Sequence, residues 1–156
     1  MVFRCPALIG KNGLGKQAEG DARTPSGELK PLAAFGILPD PDCVLLHYGT
    51  ILPYIRIEEG TIACDAEGPF YNRIVKPSDY EGSNPPEGER MWELSPEYDY
   101  GIQTDYNSAC IYPAGSAIFI HCRGAKAWTG GCVAIDKRYM KRILQSASDG
   151  LRIFIG

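Results

Sequence analysis

Short apolar runs separated by glycine and proline dominate the chain, and they predict a domain built mainly of β-strands. The sequence holds 18 glycines and 12 prolines, which divide it into segments of strand length. Pro6 places the first strand at a sheet edge or a bulge, because proline cannot donate to a ladder. The segments 11–27 and 76–89 are polar and rich in turn residues, so we expect loops there. Strands are expected at 2–9, 29–32, 51–57, 62–65, 100–104, 117–121 and 151–155.

One segment in the C-terminal half changes to a helical period. Its apolar positions are Tyr139, Met140, Ile143, Leu144 and Ala147. Asp136 is suited to cap the start of this helix, and Gly150 is suited to follow its end. The pattern therefore predicts one domain, residues 1–156, that is mainly β with one clear helix.

Charge and hydropathy remove several classes of function. The chain has 16 basic and 19 acidic residues, a net charge of −3, and no basic run of five or more, which argues against nucleic-acid binding. No apolar stretch approaches the roughly 20 residues of a transmembrane helix. The first residues do not form a signal peptide, because Arg4 and Pro6 interrupt a short apolar run. The sequence thus carries no export signal, leaves a cytoplasmic location open, and makes no prediction of oligomeric state.

The six cysteines are scattered, and no two of them form a C-x-x-C pair. Six cysteines allow 15 full pairings, but the spacing favours buried free thiols over a disulfide framework. His121, Cys122 and Cys132 are possible metal ligands by chemistry, yet their spacing fits no standard zinc pattern and lacks a fourth ligand. We therefore predict neither a metal nor a cofactor.

The segment from His121 to Asp136 carries the strongest chemical signal. His121 ends an apolar run, and Cys132 follows it by eleven residues behind Gly130 and Gly131. A thiol becomes a nucleophile when a base, oxyanion donors and access come together. Imidazole is the usual base at neutral pH, and a Cys–His pair lowers the pKa of the thiol. We expect the amides of Gly131 and Cys132 to face the oxyanion.

Structural interpretations compete with this one. A lone cysteine is most often a small buried residue, and a histidine at a strand end is often a satisfied core residue. No acidic residue lies between His121 and Cys132 to orient the ring, so a backbone carbonyl is needed, and that of Cys122 is one candidate.

This segment resembles the signature of the L,D-transpeptidase (YkuD-like) catalytic domain. In that family an Ile-His pair ends a strand and a Ser/Thr-x-Gly-Cys turn carries the nucleophile, as at Ile120–His121 and 129–132 here. The stretch 19–28 is similar to the family's GD-x-x-TP-x-G motif, and further likenesses at 71–73, 91–92 and 98–99 are to a short bacterial branch. Three departures stand out: Gly130 in place of a histidine, Ala134 in place of an arginine, and the short step between base and nucleophile.

The resemblance implies a β-sandwich or barrel and a specific reaction. Cys132 would attack a peptidoglycan stem peptide, release D-alanine and form a thioester, which an amine resolves into a 3–3 cross-link used in cell-wall biogenesis and cell shape. His121 would be base and then acid, and Thr129 would shape the turn and contact substrate. The family also implies the periplasm or cell envelope.

Alternatives to this function and to these roles stay open. Water in place of the amine would make the protein an L,D-carboxypeptidase or amide hydrolase, and a non-catalytic wall-binding module is a third interpretation. Asn72 and Arg73 are candidates to bind a stem-peptide carboxylate, and Arg123 is a candidate substrate clamp. Arg123 is equally consistent with an exposed charge at the start of a loop, whereas for Arg73 a solvated surface position is the more common one. The segment 19–27 is either a connector or part of the floor of the site.

Overall fold

The computed structural model describes residues 2–146 and 149–156. The architecture is mainly β, as predicted, and no sheet among these residues closes into a barrel. Two short 3-10 helices, Pro77–Asp79 and Met91–Glu93, accompany one α-helix, α1 (Lys137–Leu144). The strands are β1 (Gly27–Leu29), β2 (Pro31–Gly36), β3 (Leu46–His47), β4 (Thr50–Ile51), β5 (Tyr54–Arg56), β6 (Ile62–Cys64), β7 (Ile74–Val75), β8 (Gly88–Arg90), β9 (Gly101–Thr104), β10 (Phe119–Cys122), β11 (Val133–Ile135) and β12 (Ile153–Ile155).

A five-stranded sheet in the order β11-β10-β9-β2-β5 organises the structure. The pairs β10–β11 and β2–β5 are parallel, whereas β9 runs antiparallel to both of its neighbours. A second sheet has the order β7-β6-β8, and β1–β12 and β3–β4 form two-stranded ribbons. The parallel pairing of β10 with β11 matters most, because these strands carry His121 and the residues that follow Cys132.

The two faces of the five-stranded sheet bury different cores. One face packs Ile120 and Val133 against Met140 and Leu144 of α1. The other face packs Phe35 and Phe119, with Cys132, against Ala63 of β6 and Met91. Successive residues of a strand point to opposite faces, so neighbours in sequence are separated into these two cores.

The N-terminal segment is wrong as a predicted strand. Only Leu8 and Gly10 make isolated bridges, to Ala134 and Thr129 respectively. Leu8 exchanges two backbone hydrogen bonds with Ala134, of 2.8 and 3.0 Å, and so covers the outer edge of β11. Pro6 has no N–H to extend this pairing backwards.

The strand predicted at 117–121 begins two residues later. Ala117 has a φ of +53°, in the left-handed region, which a strand cannot accommodate. The segment predicted at 51–57 is two strands separated by Leu52 and Pro53. Most of strand β2, which lies between β9 and β5, was not predicted, because Ala33 and Ala34 are small and show no alternation.

The predicted helix is confirmed. Asp136 caps it through a hydrogen bond of its carboxylate from the amide of Arg138, at 2.9 Å, and Met140 and Leu144 are buried. The helix ends at Leu144, and Ala147, the last predicted apolar position, lies outside the described residues. No helix in the described part of the chain has the length and apolar character that crossing a bilayer requires.

Candidate active site

His121 and Cys132 lie on the same face of the five-stranded sheet. In the parallel pairing Ile120 is opposite Val133, so the register brings Cys132 level with Phe119, two residues before His121. The Phe119 amide donates to the Cys132 sulfur at 3.4 Å. The rings of Phe119 and His121 both contact Tyr98 in the core of this face. The eleven-residue connection therefore returns the cysteine to the neighbourhood of the histidine.

The imidazole of His121 is oriented by the backbone. Its Nδ1 lies 2.8 Å from the carbonyl oxygen of Cys122, which confirms the carbonyl proposed from the sequence. Because a carbonyl only accepts, Nδ1 carries the proton in the neutral ring and Nε2 keeps its lone pair. Burial lowers the pKa of His121, against the opposing effects of the Cys122 carbonyl and Glu97. The neutral ring, the form that acts as a base, is therefore favoured at neutral pH.

The thiol of Cys132 is buried and un-ionised. Its exposed fraction is 9%, and the S–H donates to the carbonyl oxygen of Ala117 at 3.0 Å. Burial, reinforced by the charge of Glu89, raises the pKa of Cys132 to about 12, although the Phe119 amide and Lys16 lower it. The expectation that the imidazole lowers the pKa of this thiol is wrong for this arrangement, in which no described residue joins the sulfur to the ring by a hydrogen bond.

A buried tyrosine and a glutamate complete the surroundings of the pair. The Tyr98 ring meets the His121 ring edge-on, with centroids 5.3 Å apart, and its hydroxyl donates to Glu89 at 2.8 Å. Burial raises the pKa of Glu89, against the Tyr98 hydrogen bond. Glu89 was not predicted as a neighbour of the pair, because it stands in a segment that was interpreted as a loop.

The turn that carries Cys132 is stabilised from within. Gly131 has a φ of +149°, which disfavours any side chain. The Thr129 hydroxyl donates to the Cys132 carbonyl at 2.6 Å and accepts from the Gly131 amide at 3.1 Å, so Thr129 shapes the turn as predicted. The same contact occupies the Gly131 amide, so of the two amides expected to face an oxyanion only that of Cys132 is uncommitted among the described residues.

The motif at 19–28 supports this turn from below. Thr24 is fully buried, and its hydroxyl donates to the Gly131 carbonyl at 2.7 Å while it accepts from the Gly10 amide at 2.8 Å. The Asp21 carboxylate accepts from three backbone amides and from the ammonium of Lys16, which hold the loop in shape. Of the two roles left open for this segment, the structure favours the floor of the site.

The predicted substrate-binding residues differ in their freedom to bind. Asn72 donates to the carbonyls of Tyr106 and Asn107, at 3.1 and 2.7 Å, and accepts from the Ala117 amide at 3.0 Å. The Asn72 side chain therefore holds Ala117, the residue whose carbonyl accepts from the Cys132 thiol. Its amide oxygen and nitrogen both already have hydrogen-bond partners within the protein. The guanidinium groups of Arg73 and Arg123 are exposed and make no hydrogen bond or ion pair with the described residues.

An open groove of about 900 Å³ does not lead to the thiol. It is lined by Ile62, Gly88, Arg90 and Trp92 on the outer face of the three-stranded sheet. Ala63 and Glu89 alternate with these residues and point to the inner face, towards Cys132 and Tyr98. The groove and the Cys–His pair thus lie on opposite faces of that sheet.

The cysteines and carboxylates of the described residues form no metal centre. All six cysteines are free thiols, and Cys43, Cys64, Cys122 and Cys132 are buried, as expected from their spacing. No cluster of three or more His, Cys, Asp or Glu side chains among these residues is arranged to hold a metal ion.

Comparison of the chain with models of protein families, with curated proteins and with solved structures finds no match. The resemblance to L,D-transpeptidases therefore stays a prediction, and the function must be argued from the geometry of the Cys–His pair.

Proposed function

We propose that this protein is a cysteine-dependent L,D-transpeptidase acting on peptidoglycan stem peptides, with Cys132 as nucleophile and His121 as general base. One observation carries the proposal: a neutral imidazole, its Nδ1 fixed by the Cys122 carbonyl, lies on the same sheet face as the thiol. With the proton on Nδ1, Nε2 keeps the lone pair that a general base needs to accept the proton of the thiol.

The reaction divides into two transfers at one sulfur atom. The Cys132 proton passes to Nε2 of His121 as the sulfur attacks the carbonyl carbon between the L-centre of diaminopimelate and the terminal D-alanine. The C–N bond then breaks, the departing amine of D-alanine takes the proton from His121, and a thioester remains. A second stem-peptide amine attacks that thioester and gives a proton to His121; the C–S bond breaks as the new C–N bond forms, and His121 returns the proton to the leaving sulfur, which restores the thiol.

The buried state of the thiol sets a condition on the first transfer. In the resting arrangement the S–H is directed at the Ala117 carbonyl, 3.0 Å away, rather than at the imidazole. The thiol must therefore turn from Ala117 towards His121 and become accessible when the substrate binds. A resting thiol with a pKa near 12 is protected from oxidation and becomes a nucleophile only with substrate in place.

The resemblance and the turn geometry agree on the supporting residues. Thr129 and Thr24 fix the two carbonyls of the Gly131–Cys132 turn, at 2.6 and 2.7 Å. The Cys132 amide is the donor left for the oxyanion. Arg73 and Arg123, whose guanidinium groups are exposed and uncommitted among the described residues, are the candidates to bind stem-peptide carboxylates. The site of action would be the cell envelope, where peptidoglycan lies.

The experiment is covalent trapping with a carbapenem, followed by intact mass measurement and peptide mapping. The wild type is expected to gain one adduct on Cys132, and C132S none. H121A should acylate about 10²–10⁴ times more slowly, the usual contribution of a positioned general base. An unmodified wild type, or an adduct on another cysteine, overturns the proposal.

Defined muropeptides then separate the transferase from the hydrolase. Cross-linked dimers together with released D-alanine are expected from the wild type and from neither C132S nor H121A. Release of D-alanine with tripeptide and no dimer would instead assign the protein as an L,D-carboxypeptidase that uses the same pair. Binding of muropeptides without either product would favour the wall-binding module.

A further inference from the structure

A buried lysine lies beside the nucleophile turn and takes no part in the proposed reaction. Only 3% of the Lys16 side chain is exposed, although lysine is among the residue types least often buried. Its ammonium donates to the Asp21 carboxylate at 2.9 Å and to the Ala18 carbonyl at 3.2 Å. A position of this kind is costly for a charge, so its geometry is informative.

One glycine makes room for this side chain, and a second lies beside its ammonium. A Cβ on Gly115 would lie 2.4 Å from Cε of Lys16, and a Cβ on Gly131 would lie 3.6 Å from its Nζ. The alkyl chain therefore runs past Gly115, and the ammonium ends against the residue that precedes Cys132. Both glycines have positive φ, of +121° and +149°, so neither site suits a larger residue.

The ammonium has more donors than partners. It carries three N–H groups, and Asp21 and Ala18 accept from two of them. No described residue accepts from the third. The ammonium as a whole lies beside Gly131, in the turn that carries the sulfur.

We propose that Lys16 is a positioning residue that stabilises the negative charge on the Cys132 sulfur once its proton has passed to His121. The inference rests on the proposed function, since it concerns the thiolate of that reaction. The ammonium exchanges no proton and forms no covalent bond; it acts through the field at the sulfur, and the turn at Gly131 fixes its distance.

The charges around the sulfur agree with this role. Glu89 faces Cys132 from β8 and opposes ionisation, whereas Lys16 promotes it. Tyr98, from the segment before β9, and His121, from β10, are titratable groups on that face, and both are favoured in their neutral forms; the charge of Glu97 acts on both of them. Among these groups Lys16 is the cation, so the charge balance at the sulfur depends on it.

The test is the rate of alkylation of Cys132 by iodoacetamide, measured by peptide mass spectrometry, with Cys5 of the same molecule as internal reference. K16M and K16Q remove the charge, and K16Q retains donors for Asp21. We expect both to react about tenfold more slowly than wild type at each pH from about 7 to 9, the change that one pKa unit produces. K16R, which keeps the charge, should recover most of the rate, and E89Q should react faster.

A matched control comes from α1, where K141M removes an exposed lysine and is expected to leave the rate unchanged. If K16M fails to fold, K16Q and K16R still decide the matter. Equal rates in wild type and K16Q, or the same direction of change in K16Q and E89Q, would mean that Lys16 serves packing alone.

Carbapenem trapping keeps the two proposals apart. Wild-type acylation at Cys132 with no loss in K16Q removes the role of Lys16 and leaves the transpeptidase standing. Failure of the wild type to acylate removes the transpeptidase, while the alkylation rates still report on the field at the sulfur.

Discussion

Replacement of Thr24 by valine tests how the loop motif supports the nucleophile. Valine has nearly the shape of threonine but lacks the hydroxyl, so T24V removes three hydrogen-bond contacts with little change in packing. Two of them are the donation to the Gly131 carbonyl at 2.7 Å and the acceptance from the Gly10 amide at 2.8 Å. The third is a longer contact to the Cys132 carbonyl at 3.3 Å, and that carbonyl keeps its hydrogen bond from Thr129. Thr24 is fully buried, so bulk water does not replace its hydroxyl.

The cost of T24V follows from the two backbone groups that it leaves unpaired. Each unsatisfied buried group costs about 1–3 kcal/mol, so we expect the free energy of unfolding to fall by about 2–6 kcal/mol. T24S keeps the hydroxyl and loses one methyl group, which costs about 1 kcal/mol. The Gly131 carbonyl loses its fixed position only in T24V, so carbapenem acylation should fall by about 10² in that variant.

Urea unfolding followed by circular dichroism measures the difference. With an m value of about 2 kcal/mol per molar, the midpoint of T24V should lie about 1–3 M below wild type and that of T24S about 0.5 M below. Acylation rates are then compared under conditions in which both variants are folded. Equal midpoints for T24V and T24S would refute the assignment of Thr24 as a support of the turn.

Two further predictions concern packing and pH. G101A should lower the free energy of unfolding by about 1–3 kcal/mol, because the new methyl group would lie 2.2 Å from the Phe35 ring. G130A is the control, since a Cβ there meets no atom within 4 Å. Equal stabilities of the two variants would contradict the packing described. The pKa of Asp21 is held below its ordinary value: burial opposes this, but the amides of residues 17, 18 and 23 and the Lys16 ammonium outweigh it. The stability from Asp21 is therefore present above the unfolded-state pKa of about 4 and lost as pH falls below it, so unfolding midpoints should decline between about pH 5 and about pH 2.5 less steeply in D21N than in wild type.

The parts of the fold that could be predicted are those determined by residues close together in the sequence. The helix carries its own period and its own cap at Asp136, so the sequence located it. Strand β2 was harder to predict, because Ala33 and Ala34 show no strand pattern in the sequence. They belong to a strand because β2 pairs with β5 and β9. The start of β10 was misplaced because Ala117 has a positive φ, and its amide donates a hydrogen bond to the side chain of Asn72, 45 residues away.

The candidate site divides in the same way. Cys132, His121 and the Cys122 carbonyl were found because chemistry and chain proximity coincide in one segment. Lys16 reaches that segment from a distant loop and Glu89 from the distant strand β8, and a single lysine or glutamate in a polar stretch carries no signal. The pKa of the Cys132 thiol was predicted to be lowered, whereas it is raised. The sequence indicates which groups lie near the thiol but not how far they exclude water from it.

The pairing of Leu8 with Ala134 covers the outer edge of strand β11 beside the nucleophile. Trimming the chain up to this residue would leave the backbone amide and carbonyl of Ala134, at the edge of the sheet, without their partners. Forms that lack the residues up to Leu8 are thus expected to associate through the edge of β11 before they unfold. A fusion partner attached ahead of Leu8 needs a spacer that leaves the pairing of Leu8 with Ala134 undisturbed.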